Sequence, residues 1–160
     1  MPKLTIVCAG KMKESYQKEA INEYLKRLSK YFTCSIEEVP DIKIKDDASQ
    51  KEEEQVIIKE GELLLKKIPS DSYVFALDLN GTQFDSVTFA SKIDSVFSKG
   101  YSHICFVIGG SLGISKDVLA RANERISLSK MTFTHLMTRE IILEQVYRAC
   151  KINHKEKYHK

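Results

Sequence analysis

The sequence lacks any apolar run of membrane-spanning length, and its opening MPKLTIVCAG is too short and too polar-flanked for a signal peptide. Cysteine is scarce as well. Cys8, Cys34, Cys105 and Cys150 lie 26, 71 and 45 residues apart, each inside an apolar stretch. That spacing fits neither a zinc site nor a CxxC pair, and it reads as four reduced, mostly buried thiols in a cytoplasmic protein. No His, Cys or carboxylate stands at metal-ligand spacing to His135, so no metal is expected. There is no GxSxG elbow, and Asp78 has no evident partner carboxylate, so neither a serine elbow nor a two-carboxylate mechanism has a foothold. Internal repeats and low-complexity stretches are missing too.

What is present is ordinary in amount and uneven in placement. The 160 residues are 42% hydrophobic and 29% charged, which suits one globular domain over residues 1–160. The net charge is only +3, but residues 130–160 hold seven Lys/Arg against three Glu, and three of the four histidines. Residues 41–60 run the other way, with four Lys against seven Asp/Glu. A basic end can serve an acidic partner such as RNA, although a solvated helix face gives the same count more often.

Period-two and helical patterns alternate along the chain. Strands are expected at 3–8, 33–39, 73–79, 103–108 and 126–129. Helices are expected at 14–32, 49–67, 86–99, from about 115, and 136–152. Asn80-Gly81 reads as the turn that ends the third strand, Ser86 as a helix cap, and Gly100 as a helix stop. The alternation implies an α/β fold, a mostly parallel sheet with helices on both faces. Ligands of such sheets bind at the carboxyl ends of the strands, here the loops after Leu79, Ile108 and Ser129.

The loop GGSLG after the apolar strand HICFVI has two readings. Its glycines let backbone N–H groups approach a ligand at a helix N-terminus, or they simply serve a tight turn that needs positive φ. It matches neither GxGxxG nor GxxxxGK[ST], which argues against a dinucleotide or triphosphate site. A side chain at Gly109 is expected to fill space that a ligand needs, leaving the fold intact. In KMTFTH, His135 at a helix start reads as a catalytic base or, more often for such a position, a cap or packed imidazole. The last helix carries one polar stripe, Glu140, Glu144, Arg148 and Lys151, and is apolar over most of its girth. It needs cover from its own sheet and from something else, such as a second copy of the chain.

The motifs FVIGGSLG, SLSKMTFTH, LEQVYRA and a terminal YHK, in that order, resemble the ribosomal RNA large-subunit methyltransferase H family of the SPOUT class. The likeness runs from IVCAGKMKE through EYLKRL and LDLNG to the last residue. It implies a C-terminal trefoil knot, a homodimer, and S-adenosylmethionine bound in the knot. It also implies methylation of N3 of a pseudouridine in large-subunit rRNA on assembled ribosomes. Cofactor contacts carried over by motif fall at Leu77, Gly109 and Leu128, Ser129, Lys130, Met131, Thr132 and Phe133. The polar positions fall at Glu144, Arg148, Tyr158 and His159. His159 is then the candidate for proton handling, Arg148 for charge stabilisation or anchoring of the tail, and Tyr158 for stacking on a flipped-out base. Lys157 and Lys160 would hold phosphates. This chain has Thr134 where members usually have Pro, and Glu140 where they have a small apolar residue. The competing readings are a non-catalytic nucleotide- or RNA-binding module and a flavodoxin-like domain.

Overall fold

The computed structural model describes residues 1–160. Five strands, β1 (Lys3–Ala9), β2 (Thr33–Val39), β3 (Tyr73–Gln83), β4 (His103–Ile108) and β5 (Glu124–Ser127), form one sheet in the order β2-β1-β4-β3-β5. Every neighbouring pair is parallel. The helices are α1 (Ser15–Leu28), α2 (Gln50–Lys67), α3 (Ser86–Ser98), α4 (Lys116–Arg121) and α5 (His135–Asn153). The steps β1 to β2 and β3 to β4 run one way across the sheet, and β2 to β3 and β4 to β5 run the other. Right-handed crossovers therefore put α1 and α3 on one face and α2 and α4 on the opposite face. α5 lies between α1 and α3.

The two faces are unequal. Twenty-two buried residues, among them Phe75, Phe106, Ile142, Leu143 and Val146, pack under α1, α3 and α5. Nine, including Val7, Leu64, Val107 and Val118, pack under α2 and α4. β4, apolar after His103, is buried at all six positions, as a central parallel strand covered on both sides must be.

Several boundaries differ from the sequence reading for local reasons. β3 does not end at Asn80-Gly81. Ile126 of β5 pairs with both Leu77 and Thr82, so residues 78–81 loop out and the strand resumes to Gln83. The Asp78 carboxylate accepts the Asn80 amide at 3.2 Å within that excursion. A Cβ on Gly81 would stand 2.7 Å from the Arg125 and Ile126 backbone, so this glycine permits close strand approach, not a chain-ending turn. β5 begins two residues before expectation. The α3 cap is Asp85, whose carboxylate accepts the Thr88 amide at 2.7 Å; Ser86 instead donates to Gln145 at 2.8 Å. Ser49 and Glu52 form a capping box on α2. Thr134 caps α5 by accepting the Met137 amide. Gly100 follows α3 at φ +96°, as a helix stop should.

The apolar girth of α5 is largely covered within one chain. Ile142, Leu143, Val146 and Ala149 are fully buried between the sheet and the flanking α1 and α3. Met137 stays 52% exposed, beside partly buried Leu136 and Ile141.

Candidate functional site

The carboxyl ends of β3, β4 and β5 open onto one cavity of about 600 Å³. Leu77, Gly109, Leu128, Ser129, Met131, Thr132 and Phe133 line it, with Asp78, Gly110, Ile114, Thr134, His135 and Thr138. Lys130 sits in the same loop with an exposed side chain outside the lining. The walls are mixed. Leu77, Ile108, Ile114 and Leu128 supply apolar surface, while the Ser129, Thr132 and loop backbone groups supply hydrogen-bond partners. A volume of this size and a lining of this kind suit a nucleoside-sized ligand.

The glycine loop is held from behind. A Cβ on Gly109 would lie 2.8 Å from Ile114 Cγ1 and 2.9 Å from the Gly113 carbonyl oxygen. A side chain at Gly109 thus meets the loop's own atoms, and the loop must shift to admit it. The Gly113 amide donates to the Gly110 carbonyl at 3.1 Å, and Gly113 has φ +96°, so the tight-turn reading of GGSLG holds here. On the α2 side, Glu60 Oε1 accepts the Gly110 amide at 2.9 Å. Burial raises the Glu60 carboxyl above its ordinary range, against the pull of that amide and with a further push from Asp41.

His135 is the first residue of α5 and packs on Gly10, where a Cβ would lie 2.7 Å from its Cε1. Burial first, and the Arg139 cation second, lower its pKa from the ordinary 6.5. One turn on, Arg139 is 0% exposed. It donates to Glu38 at 2.6 Å and to the Gly10 carbonyl at 2.7 Å, while Glu38 also accepts the Met12 amide at 2.9 Å. Burial pushes the Glu38 carboxyl up, but the Arg139 and Met12 bonds outweigh it and hold the group below its ordinary value.

The four polar positions gather elsewhere, near the C-terminal end of α5. Arg148 Nε and Nη2 both donate to Glu144 Oε1, at 3.1 and 2.5 Å. Tyr158 Oη donates to the same oxygen at 3.0 Å. The Arg148 guanidinium also lies 4.7 Å from the Tyr158 ring centre, and its Nη1 meets His159 Nδ1 at 3.2 Å. Burial and the Glu144 bond push the Tyr158 phenol up to about 12. The tail turns back at Lys155, whose φ is 56°. Glu156 then pins it, accepting Tyr31 Oη at 2.9 Å and Lys151 Nζ at 2.8 Å. Gln145 links this cluster to α3, donating to Glu144 at 2.8 Å and accepting from Ser86. Along α5, Glu144 and Arg148 lie roughly 14 and 20 Å from His135, and none of the four lines the cavity, although Gln145 beside Glu144 lines an adjoining pocket with Leu128 and Phe133.

Sequence reasoning missed Glu60, Glu38 and Arg139. Two of them carry a legible signal. Arg139 shares a helical face with Ile142, Leu143 and Val146, and Glu60 shares one with Leu64 and Ile68; a lone charge in an apolar stripe marks a buried partner. Glu38, on an alternating strand, carries none. The four cysteines are free; Cys8, Cys105 and Cys150 are buried with thiols raised to about 12, and half-buried Cys34 to about 11, all chiefly by burial. No group of three or more His, Cys, Asp or Glu residues is placed to hold a metal ion.

Comparison with known proteins covers nearly the whole chain. The family described as "Predicted SPOUT methyltransferase" matches residues 2–159. Proteins named "Ribosomal RNA large subunit methyltransferase H" from Clostridium botulinum (strain 657), Clostridium novyi and Clostridium tetani are 53%, 52% and 50% identical to it. Each likeness spans 98% of this chain and 99% of the relative. A probable methylase family protein from Haemophilus influenzae shares the fold at TM-score 0.53 and 12% identity, over 98% of this chain and 70% of that one. With half its residues shared along its full length and its strand-end loops converging on one cavity, the chain belongs to the SPOUT methyltransferase family.

Proposed function

We propose that this protein transfers a methyl group from S-adenosylmethionine to N3 of a pseudouridine in large-subunit ribosomal RNA, on assembled ribosomes in the cytoplasm, as a homodimer. The full-length likeness to relatives named for large-subunit rRNA methylation carries this reading. The residues of the cavity fit the cofactor. Apolar side chains from β3, β4 and β5 suit an adenine, and the Ser129–Thr134 loop offers hydroxyl and amide groups to a ribose and an amino-acid end. When bound, S-adenosylmethionine supplies an electrophilic methyl on a sulfonium, which needs an aligned nucleophile and no metal. The trefoil knot belongs to the same proposal.

The quartet would act on the base. A guanidinium only donates, so Arg148 Nη1 donates to His159 Nδ1, and a neutral His159 then carries its proton on Nε2. That proton suits donation to a base carbonyl that gains negative charge as N3–H is lost. Removal of the N3 proton by His159 Nδ1 requires that the ring leave Arg148. Arg148 also lies over the Tyr158 ring, and Tyr147 packs against the same ring at 4.9 Å between centres, so stacking of a base on Tyr158 requires that the tail shift. A second copy would close the gap of roughly 14–20 Å along α5 by bringing its tail to this cavity. Exposed Leu79, Met131 and Met137 beside the cavity support such a contact.

Two measurements test the reading. Titration calorimetry with S-adenosylmethionine is expected to give saturable heat. Ribosomes from a strain lacking this protein are expected to gain one methyl on a large-subunit pseudouridine when treated with it, seen by mass spectrometry. Absence of heat points to the non-catalytic RNA-binding alternative. Heat without methylation overturns the proposed substrate.

A further inference from the structure

Glu60 is out of place for a surface helix. It lies in the middle of α2, is 5% exposed, and forms no salt bridge. A buried carboxylate without a cation is costly, so the bond that it does make matters. Its bond is to the Gly110 amide at 2.9 Å. A Cβ at position 110 would stand 2.9 and 3.0 Å from the two carboxylate oxygens, so a side chain there would push the carboxylate aside from this bond. The next residue, Gly61, lets α2 press on the far end of the same loop. A Cβ on Gly61 would overlap Ser115 Oγ, and Ser115 caps α4 by accepting the Val118 amide. Two successive residues of α2 thus grip the β4–α4 loop at both ends, from the side away from the cavity. The peptide group is planar, so fixing the Gly110 N–H also fixes the plane of the Gly109–Gly110 peptide, and both residues line the cavity.

We infer that Glu60 is a positioning residue of the cofactor site, whose carboxylate holds the Gly109–Gly110 peptide in the orientation that bound cofactor meets and so sets cofactor affinity from outside the cavity. This rests on the reading of the cavity as the S-adenosylmethionine site.

The test uses the full chain with Glu60→Leu, Glu60→Gln and Gly110→Ala. Glu60→Leu removes the acceptor, Glu60→Gln keeps an acceptor of similar size, and Gly110→Ala breaks the same bond from the other side. S-adenosylmethionine affinity is measured by calorimetry, Gly110 amide exchange by NMR, and KM and kcat on ribosomes. For Glu60→Leu and Gly110→Ala, Kd and KM for S-adenosylmethionine are expected to rise roughly tenfold, with kcat nearly unchanged and Gly110 exchange accelerated. Glu60→Gln is expected to recover most of the affinity. Native affinity in a variant whose Gly110 amide exchanges freely overturns the inference. So does a loss of kcat and thermal stability together with no rescue by Glu60→Gln, which marks a merely structural residue. Should Glu60→Leu fail to fold, Gly110→Ala and Glu60→Gln decide alone. Wild-type protein that takes up no S-adenosylmethionine overturns the cavity reading itself, before any variant is compared.

Discussion

The two ends of α5 are built differently. At its N-terminal end the cavity is made of loop backbone and held from behind by buried charged groups, Glu60 on Gly110 and Arg139 on Glu38 and Gly10. At its C-terminal end the quartet is made of side chains and held from the front by partly exposed pairs, Arg148 with Glu144 and Glu156 with Lys151. A buried charge that loses its partner costs several kcal/mol, whereas an exposed pair contributes up to about 1 kcal/mol. The first end therefore belongs to the fold, and the second is free to rearrange.

The largest effect on stability is expected from Arg139→Leu. It strands the Gly10 carbonyl inside the fold and leaves Glu38, an exposed residue, without its cation. Because the Glu38 side chain keeps 31% exposure, the cost comes chiefly from the stranded carbonyl, about 1–3 kcal/mol, or a fall in Tm of about 3–10 °C by thermal denaturation. A Tm within about 2 °C of wild type would erase the contrast between the two ends.

Gly109→Val comes next. Its side chain meets the Gly113 carbonyl and Ile114, so the loop must shift, at about 1–3 kcal/mol, and calorimetric heat with S-adenosylmethionine is expected to vanish. Native affinity in a folded variant would separate the glycine loop from the cofactor.

Acid sharpens the comparison further. The His135 pKa is held below 6.5 in the fold, so the unfolded chain takes up that proton first and stability falls as pH drops below about 6.5. Glu38 is held below its ordinary 4.5, so its contribution is present above that value and is lost as pH falls through it. Chemical denaturation at pH 7, 5.5 and 4 is expected to show decreasing stability in that order, and His135→Gln to flatten the first step.

The smallest effect on folding is expected from deleting Tyr158–Lys160. Stability is expected to change by less than about 1 kcal/mol and S-adenosylmethionine affinity to hold, while methylation of ribosomes disappears. Lys157→Ala and Lys160→Ala are each expected to reduce the log–log salt slope of ribosome binding by about one unit. A truncated protein that methylates at the wild-type rate would make the tail an ordinary frayed end.

Much of this was legible because it is local. Period-two and helical patterns, Gly100 and the apolar run ICFVI follow from φ/ψ preferences and burial that each segment expresses by itself, and from them the parallel α/β sheet follows by handedness. The ligand loops at the carboxyl ends of the strands follow likewise from topology. Other features depend on what a residue meets across the fold. Gly81 looked like a turn because nothing in Asn80-Gly81 reveals that the β5 backbone will lie within touching distance of it. Thr134 and Asp85 became caps only once the chain direction at α5 and α3 was set. Arg139 reaches Glu38 across 101 residues, and Glu60 reaches Gly110 across 50, and such pairings leave one out-of-place charge in an apolar stripe as their only trace. The separation of the quartet from the cavity was hidden for the same reason: order along a chain says which groups can share a helix, but distance through space is set only when that helix is laid against its sheet.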